Sequence, residues 1–182
     1  MSRCINPYVI VYLAAIVAAN FSVAFFGQAS MPVNAFLFIG IDLSLRDRLH
    51  DAWLKTGLWP RMGTLIAAGS AISYVLASAV PRIMGQQLPN DMGRIALASM
   101  LAFAAAALAD ALVYTVLHKR GFMVRANGSN VAGAAADSVL FPLLAFGSPL
   151  WSVVLLMFAA KTCGGFVWSL ILRPRRAADA AA

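Results

Sequence analysis

Six apolar runs, each set off from the next by proline, glycine or charge, constrain this chain more than any other feature. In a bilayer core there is no water to satisfy backbone N–H and C=O groups, so an apolar run that crosses it must be a helix. The pattern places spans near 8–26, 32–53, 61–80, 91–118, 130–146 and 150–172. Of 182 residues, 62% are hydrophobic and only 12% charged, against about a quarter charged in a soluble domain. At about 20 residues per span, no length remains for a fused ATPase or sensor module. The expected fold is therefore an all-α membrane protein, a single bundle of six transmembrane helices. It forms one domain over 1–176, with a fraying alanine-rich tail at 177–182.

Local signals refine the spans. Asn6 and Pro7 precede the first, and no small-residue cleavage signature follows it, so it reads as a retained span. The second starts at Pro32, loses its strongly apolar character near Leu45, and continues through Arg46, Asp47 and Leu49 to about Trp53, with its inner end in the aqueous interface. Small residues in the third (Gly63, Ala67, Ala68, Ser70, Ala71, Ser73) are expected to let neighbouring backbones approach. Asn90 after Pro89 is the expected N-cap of the fourth. The fifth opens at Asn130 with the small run Val131 to Ala136; Asn127, Ser129 and Asn130 read as its cap, or as donors at a cavity mouth.

Cations set the orientation. Arg3; Arg46, Arg48, Lys55 and Arg61; Lys119, Arg120 and Arg125; and Arg173, Arg175 and Arg176 fall on one side, while only Arg82 and Arg94 fall on the other. By the positive-inside rule both termini are cytoplasmic. The formal charge of +7 is thereby topological, with no aromatic-interleaved groove for nucleic acid.

Within the spans stand Asn20, Asp42, Asp110, Asp137, Ser138 and Lys161. A charge at the bilayer centre costs roughly 2.5–3.5 kcal/mol on insertion scales, so such residues face a bundle interior or an aqueous cavity. Asp42 lies four residues before Arg46 and is either a ligand or half of an i, i+4 ion pair. Asp110, with Tyr114 one turn on, is expected to line a polar cavity. Asp137 and Ser138 follow the small face of span five, which leaves space beside them. Lys161 is too deep to snorkel and takes Asp110, Asp137 or a substrate as partner. His50 and His118 fall at the cytoplasmic boundary as solvated residues, and no cluster with metal-ligand spacing occurs. Cys4 and Cys163 make no disulfide framework. There is no phosphate-binding glycine loop and no nucleophile elbow, and an aspartyl pair of Asp110 and Asp137 is disfavoured. The chain reads as no enzyme and needs no cofactor. It reads as a carrier of a small polar solute.

The stretch Phe36 to Arg46 (FLFIGIDLSLR), Arg94 to Ser99 leading to Asp110, Gly128-Ser129-Asn130 leading to Asp137-Ser138 and on to Ala145-Phe146, and Lys161 together resemble the queuosine-precursor transporter (VUT) family over about residues 8–172. The resemblance implies a multi-pass inner-membrane importer of 7-deazaguanine bases, the 7-cyano and 7-aminomethyl precursors of queuosine in transfer RNA. A guanine-like base presents adjacent N–H donors that one carboxylate accepts in parallel. Asp137 or Asp110 would do this, with Ser138, Lys161, Asp42, Asn130, Ser129, Asn127, Ser99, Arg94 and Asn20 as further substrate-binding candidates and Phe103, Phe141 or Trp168 stacking on the ring. Arg46-Asp47 and Ala134 depart from the family pattern, which bears on ligand selection. The alternative is a substrate-binding subunit of an energy-coupling-factor type vitamin transporter, driven by a separate ATPase. Expected partners are the deazapurine, the lipid bilayer and, left open, a second copy of the chain. A reporter fused after Arg125 is expected to register as cytoplasmic; an external signal there would overturn the orientation.

Overall fold

The computed structural model describes residues 6–26, 30–83, 85, 92–149 and 151–173. The expected cap Asn90, the residues Arg3, Cys4, Arg175 and Arg176, and the tail lie outside the described residues. Helix α1 is Pro7–Phe26, and α2 is one continuous helix made of Met31–Asn34, a π-helical stretch Ala35–Ile39, and Gly40–Trp53. Then come α3 (Leu58–Ile83), α4 (Met92–Val116), α5 (Phe122–Phe146) and α6 (Trp151–Ile171). The described residues contain no strand. Among the described residues, four helices are long and apolar enough to cross a membrane: α3 over Leu58–Val80, α4 over Arg94–Val116, α5 and α6. The apolar part of α1, Pro7–Ser22, is shorter.

Helix α2 organises the bundle. Nine of the fourteen residues of Gly40–Trp53 are buried, among them Asp42, Ser44, Arg46, Asp47 and His50. This segment touches all five other helices. As far as His50, its second half is also enclosed by neighbouring helices, because a helix with this many polar groups gains more from protein partners than from lipid. Arg46 consequently leaves the set of loop cations, and the sign of the remaining bias is unchanged.

Glycines let the backbones meet. A Cβ on Gly40 would come within 2.7 Å of the Gly164 carbonyl carbon, and one on Gly164 would strike the Phe36 carbonyl in the π-helical stretch. Ser44 Oγ seals this crossing of α2 and α6 by donating to Gly165 O at 3.0 Å. Asn34 Nδ2 donates to Ala19 O at 3.0 Å and ties the start of α2 to α1. Beyond the crossing, Tyr12, Ile16, Leu45, Leu49, Leu58, Met62, Leu65 and Ala111 form the apolar core shared by α1 to α4.

Two expectations are corrected. Helix α5 starts at Phe122, after extended Gly121, not near Asn130. Asn127 and Ser129 lie inside the helix, where the Asn127 amide bonds back to the Met123 carbonyl (2.7 Å) and the Ser129 hydroxyl turns to Asp47 of α2 (3.0 Å), so polar residues that look like a cap have interior partners instead. In α3, Ser70 and Ser73 are buried as expected, but Gly63, Ala67 and Ala71 lie on the exposed face, and a Cβ on Gly63 would meet nothing within 4 Å. The close approach occurs at Gly69, where a Cβ would lie 3.0 Å from Ile16, Phe103 and the Tyr12 hydroxyl. Size alone does not say which way a helix face turns.

Gly164→Val is expected to push α6 off α2 and lower stability by about 3 kcal/mol or more, whereas Gly63→Ala is neutral or stabilising by about 0.5–1 kcal/mol. Thermal unfolding in detergent checks both, and equal melting shifts would contradict the crossing.

Candidate functional site

The interior charges come from four helices, α2, α4, α5 and α6. Asp42 and Arg46 are one turn apart on α2, and Arg46 Nη2 lies 3.4 Å from Asp42 Oδ2. Arg46 Nη1 reaches toward Asp110 Oδ2 of α4 at 3.9 Å, and the guanidinium sits over the Phe103 ring with its carbon 5.9 Å from the centroid. Asp47 accepts a hydrogen bond from Ser129 Oγ of α5 at 3.0 Å. Asp47 and Asp110 are each 1% exposed, Arg46 2% and Asp42 4%. Two carboxylates thus share one guanidinium, and a third, Asp47, is enclosed beside them with Ser129 as its partner. Asp42 Oδ1, Asp47 Oδ2, Asp110 Oδ1 and Arg46 Nε have no hydrogen-bond partner, although buried polar atoms in folded proteins nearly always have one.

A second charge pair joins α5 to α6. Lys161 Nζ donates to Asp137 Oδ2, and Ser138 Oγ lies 3.3 Å from the same ammonium. Of the partners open to Lys161, the fold selects Asp137. Asp137 also bears electrostatically on Asp42 of the first group. Asn130, 1% exposed, has neither its amide oxygen nor its amide nitrogen partnered. It packs against Gly165 of α6, where a Cβ would come within 2.9 Å of Nδ2. The space expected beside Gly133 is filled: a Cβ there would meet the Ala106 carbonyl at 3.2 Å and Asp110 and Leu43 at 3.3 Å. Small residues in α5 serve helix packing.

Toward Trp53 lies a third polar group. His50 is 2% exposed, contrary to its expected solvation, because α4 covers it. Its ring lies 4.7 Å from the Tyr114 ring centroid. Thr115 Oγ1 donates to Ala111 O at 2.7 Å and so accepts from His50 Nε2 at 3.0 Å, which fixes the ring proton on Nε2. Arg125 of α5 forks onto Asp51 of α2 at 2.9 and 3.2 Å and lies over Tyr114 at 4.9 Å.

Of the sequence candidates, Asp42, Asp110 and Ser129 belong to the first group, Asp137, Ser138 and Lys161 to the second, and Asn130 lies against α6. The others are apart. Asn20 bonds its own helix at Ile16 O (2.9 Å), Asn127 bonds Met123 O, and Ser99 faces Ser73 at 3.5 Å. Exposed Arg94 donates to Leu144 O at 3.1 Å and caps the C-terminus of α5. Phe141 lies edge-on to Phe146, and Trp168 Nε1 is buried without a partner. Sequence reading put His50 in solvent and gave Asp47 no place among the site residues, whereas both are buried. The Asp42, Asp47 and His50 spacing along α2 carried the signal, since a helix with charge on several sides must be enclosed.

A protein-family model described as "Putative vitamin uptake transporter" matches residues 6–174. This is the family to which the sequence motifs point. No curated protein and no solved structure matches the chain.

Arg46→Met would leave the buried carboxylates without a cation and is expected to destabilise the protein by about 3–5 kcal/mol. Adding Asp42→Asn should recover part of that loss in the same unfolding assay; a stable Arg46→Met protein would contradict the shared-cation arrangement.

Proposed function

Because the chain belongs to the putative vitamin uptake transporter family, we propose that it is an inner-membrane importer of 7-deazaguanine bases, with both termini cytoplasmic, and that α5 and α6 hold the base between them. The observation that carries this reading is the Asn130 amide, buried with both of its polar atoms unpartnered. A planar amide offers one donor and one acceptor side by side. The N3 and N9–H edge of a free deazaguanine base offers the complementary pair, and a nucleoside lacks the N9 hydrogen.

Asp137 lies seven residues further along α5, which is about 10.5 Å on the same face. That separation is roughly a bicyclic base with a hydrogen bond at either end. Asp137 has one oxygen engaged by Lys161, and its carboxylate would accept the N1 and 2-amino hydrogens while Lys161 donates to O6. Helix α6 covers both positions, through Gly165 at Asn130 and Lys161 at Asp137. Parting α6 from α5 would open them together, and closure would enclose the base.

Asp137→Asn replaces an acceptor by a donor and should weaken binding of 7-cyano-7-deazaguanine by about 10- to 150-fold, the equivalent of about 1.5–3 kcal/mol. Asn130→Ala should narrow the preference for base over nucleoside. Thermal-shift titration with purines, deazapurines, their nucleosides and vitamins checks both. Lys161→Met combined with Asp137→Asn separates folding from recognition, since the pair is then removed together. Stabilisation by a vitamin and by no deazapurine would overturn the substrate. Uptake that stops on ATP depletion while the proton gradient persists would instead make the chain the substrate-binding subunit of an ATP-driven system.

A further inference from the structure

Asp42, Asp47 and Asp110 are enclosed with a single cation, Arg46, and each carboxylate carries an oxygen without a hydrogen-bond partner. Two ionised carboxylates in surplus would each cost several kcal/mol in such an interior. Something positive must accompany them. A hard metal ion is disfavoured, because it asks for six or more oxygens and the Arg46 guanidinium already stands between Asp42 and Asp110. Among the described residues no group of three or more His, Cys, Asp or Glu is arranged to hold a metal. Asp42 and Asp110 instead flank one guanidinium, each with an oxygen left unpartnered, so a proton on either relieves the like-charge crowding that Arg46 alone does not balance.

A second observation points the same way. The Tyr12 hydroxyl of α1 is fully buried, has no partner, and lies within electrostatic reach of Asp42, Arg46 and Asp110. A hydroxyl can donate to an ionised carboxylate and accept from a protonated one, so an unpartnered hydroxyl in this neighbourhood suits either state. The remaining groups facing the pair are Asp47 on α2, Ser129 on α5, and the Asp137 carboxylate with its Lys161 partner.

We propose that Asp42 and Asp110, astride Arg46, form the proton-binding site that couples substrate import to proton entry. A proton from the outer water binds a carboxylate oxygen when the bundle opens outward. Arg46 remains charged and pairs with whichever carboxylate is ionised. On opening inward the proton leaves to the cytoplasmic water, with Asp47 and Ser129 next along α2 and α5 toward that side. No other bond is made or broken. The coupling rests on the importer reading above, but the site itself does not depend on which base is carried.

Two measurements test it. Infrared spectroscopy of the purified protein in detergent at neutral pH should show the carbonyl stretch of a buried protonated carboxylic acid, reduced or lost in Asp42→Asn and Asp110→Asn and retained in Asp51→Asn. Absence of that band in the wild-type protein, or its persistence in both variants, would overturn the site. In proteoliposomes with the membrane potential clamped at zero, a one-unit pH gradient, acid outside, should drive about tenfold accumulation of 7-cyano-7-deazaguanine for one proton per substrate. Accumulation driven by a sodium gradient and not by protons would overturn the coupling. If the band behaves as expected and this base is not transported at all, the substrate assignment falls and the proton site stands.

Discussion

The structure depends on one constraint: a helix bearing Asp42, Arg46, Asp47 and His50 has to be covered on every side. Lipid cannot solvate these groups, so the other five helices do, and α2 is touched by all of them. The rest of the architecture follows from that enclosure. Gly40 meets Gly164 backbone to backbone because α6 must come close enough for Ser44 to reach the Gly165 carbonyl. Gly133 brings α5 against Asp110 and Leu43, and α1 contributes Tyr12 and the Ala19 carbonyl.

Enclosure alone would be satisfied by a balanced set of charges, and this set is unbalanced. Lys161 and Asp137 pair one to one, as do Arg125 and Asp51. Those pairs tie α5 to α6 and α5 to α2. Asp42, Asp47 and Asp110 exceed their one guanidinium, and Asn130 keeps its amide unpaired in the same interior. A bundle selected only for stability would gain by replacing such groups with apolar ones. Their retention at the meeting of α2, α4, α5 and α6 is the physical case for substrate and proton chemistry there.

Much of this was legible in the sequence, for identifiable reasons. The six helices stood out because apolar runs end at Pro, Gly and charge, and Asp42, Asp110, Asp137 and Lys161 stood out because charge inside such runs has few explanations. The start of α5 did not, since Asn127 and Ser129, residue types that favour caps, bond from within the helix to the Met123 carbonyl and to Asp47. The burial of Asp47 and His50 did not either, because hydropathy measures a segment's affinity for lipid and not which neighbours enclose it. The choice of Asp137 over Asp110 as the partner of Lys161 needs the rotation of α5 about its axis, which residue types do not fix. The π-helical stretch Ala35–Ile39 left no mark in composition at all.

The central claim is that the surplus carboxylates serve transport at the expense of stability. Asp110→Asn tests it most directly when unfolding and uptake are measured on the same preparation. The account predicts a melting temperature equal to or above that of the wild-type protein, because the variant no longer has to bury an extra acid and hold a proton on it, together with loss of gradient-driven accumulation. A destabilised protein that still accumulates substrate as the wild type does would show that Asp110 belongs to the scaffold, and would contradict the account.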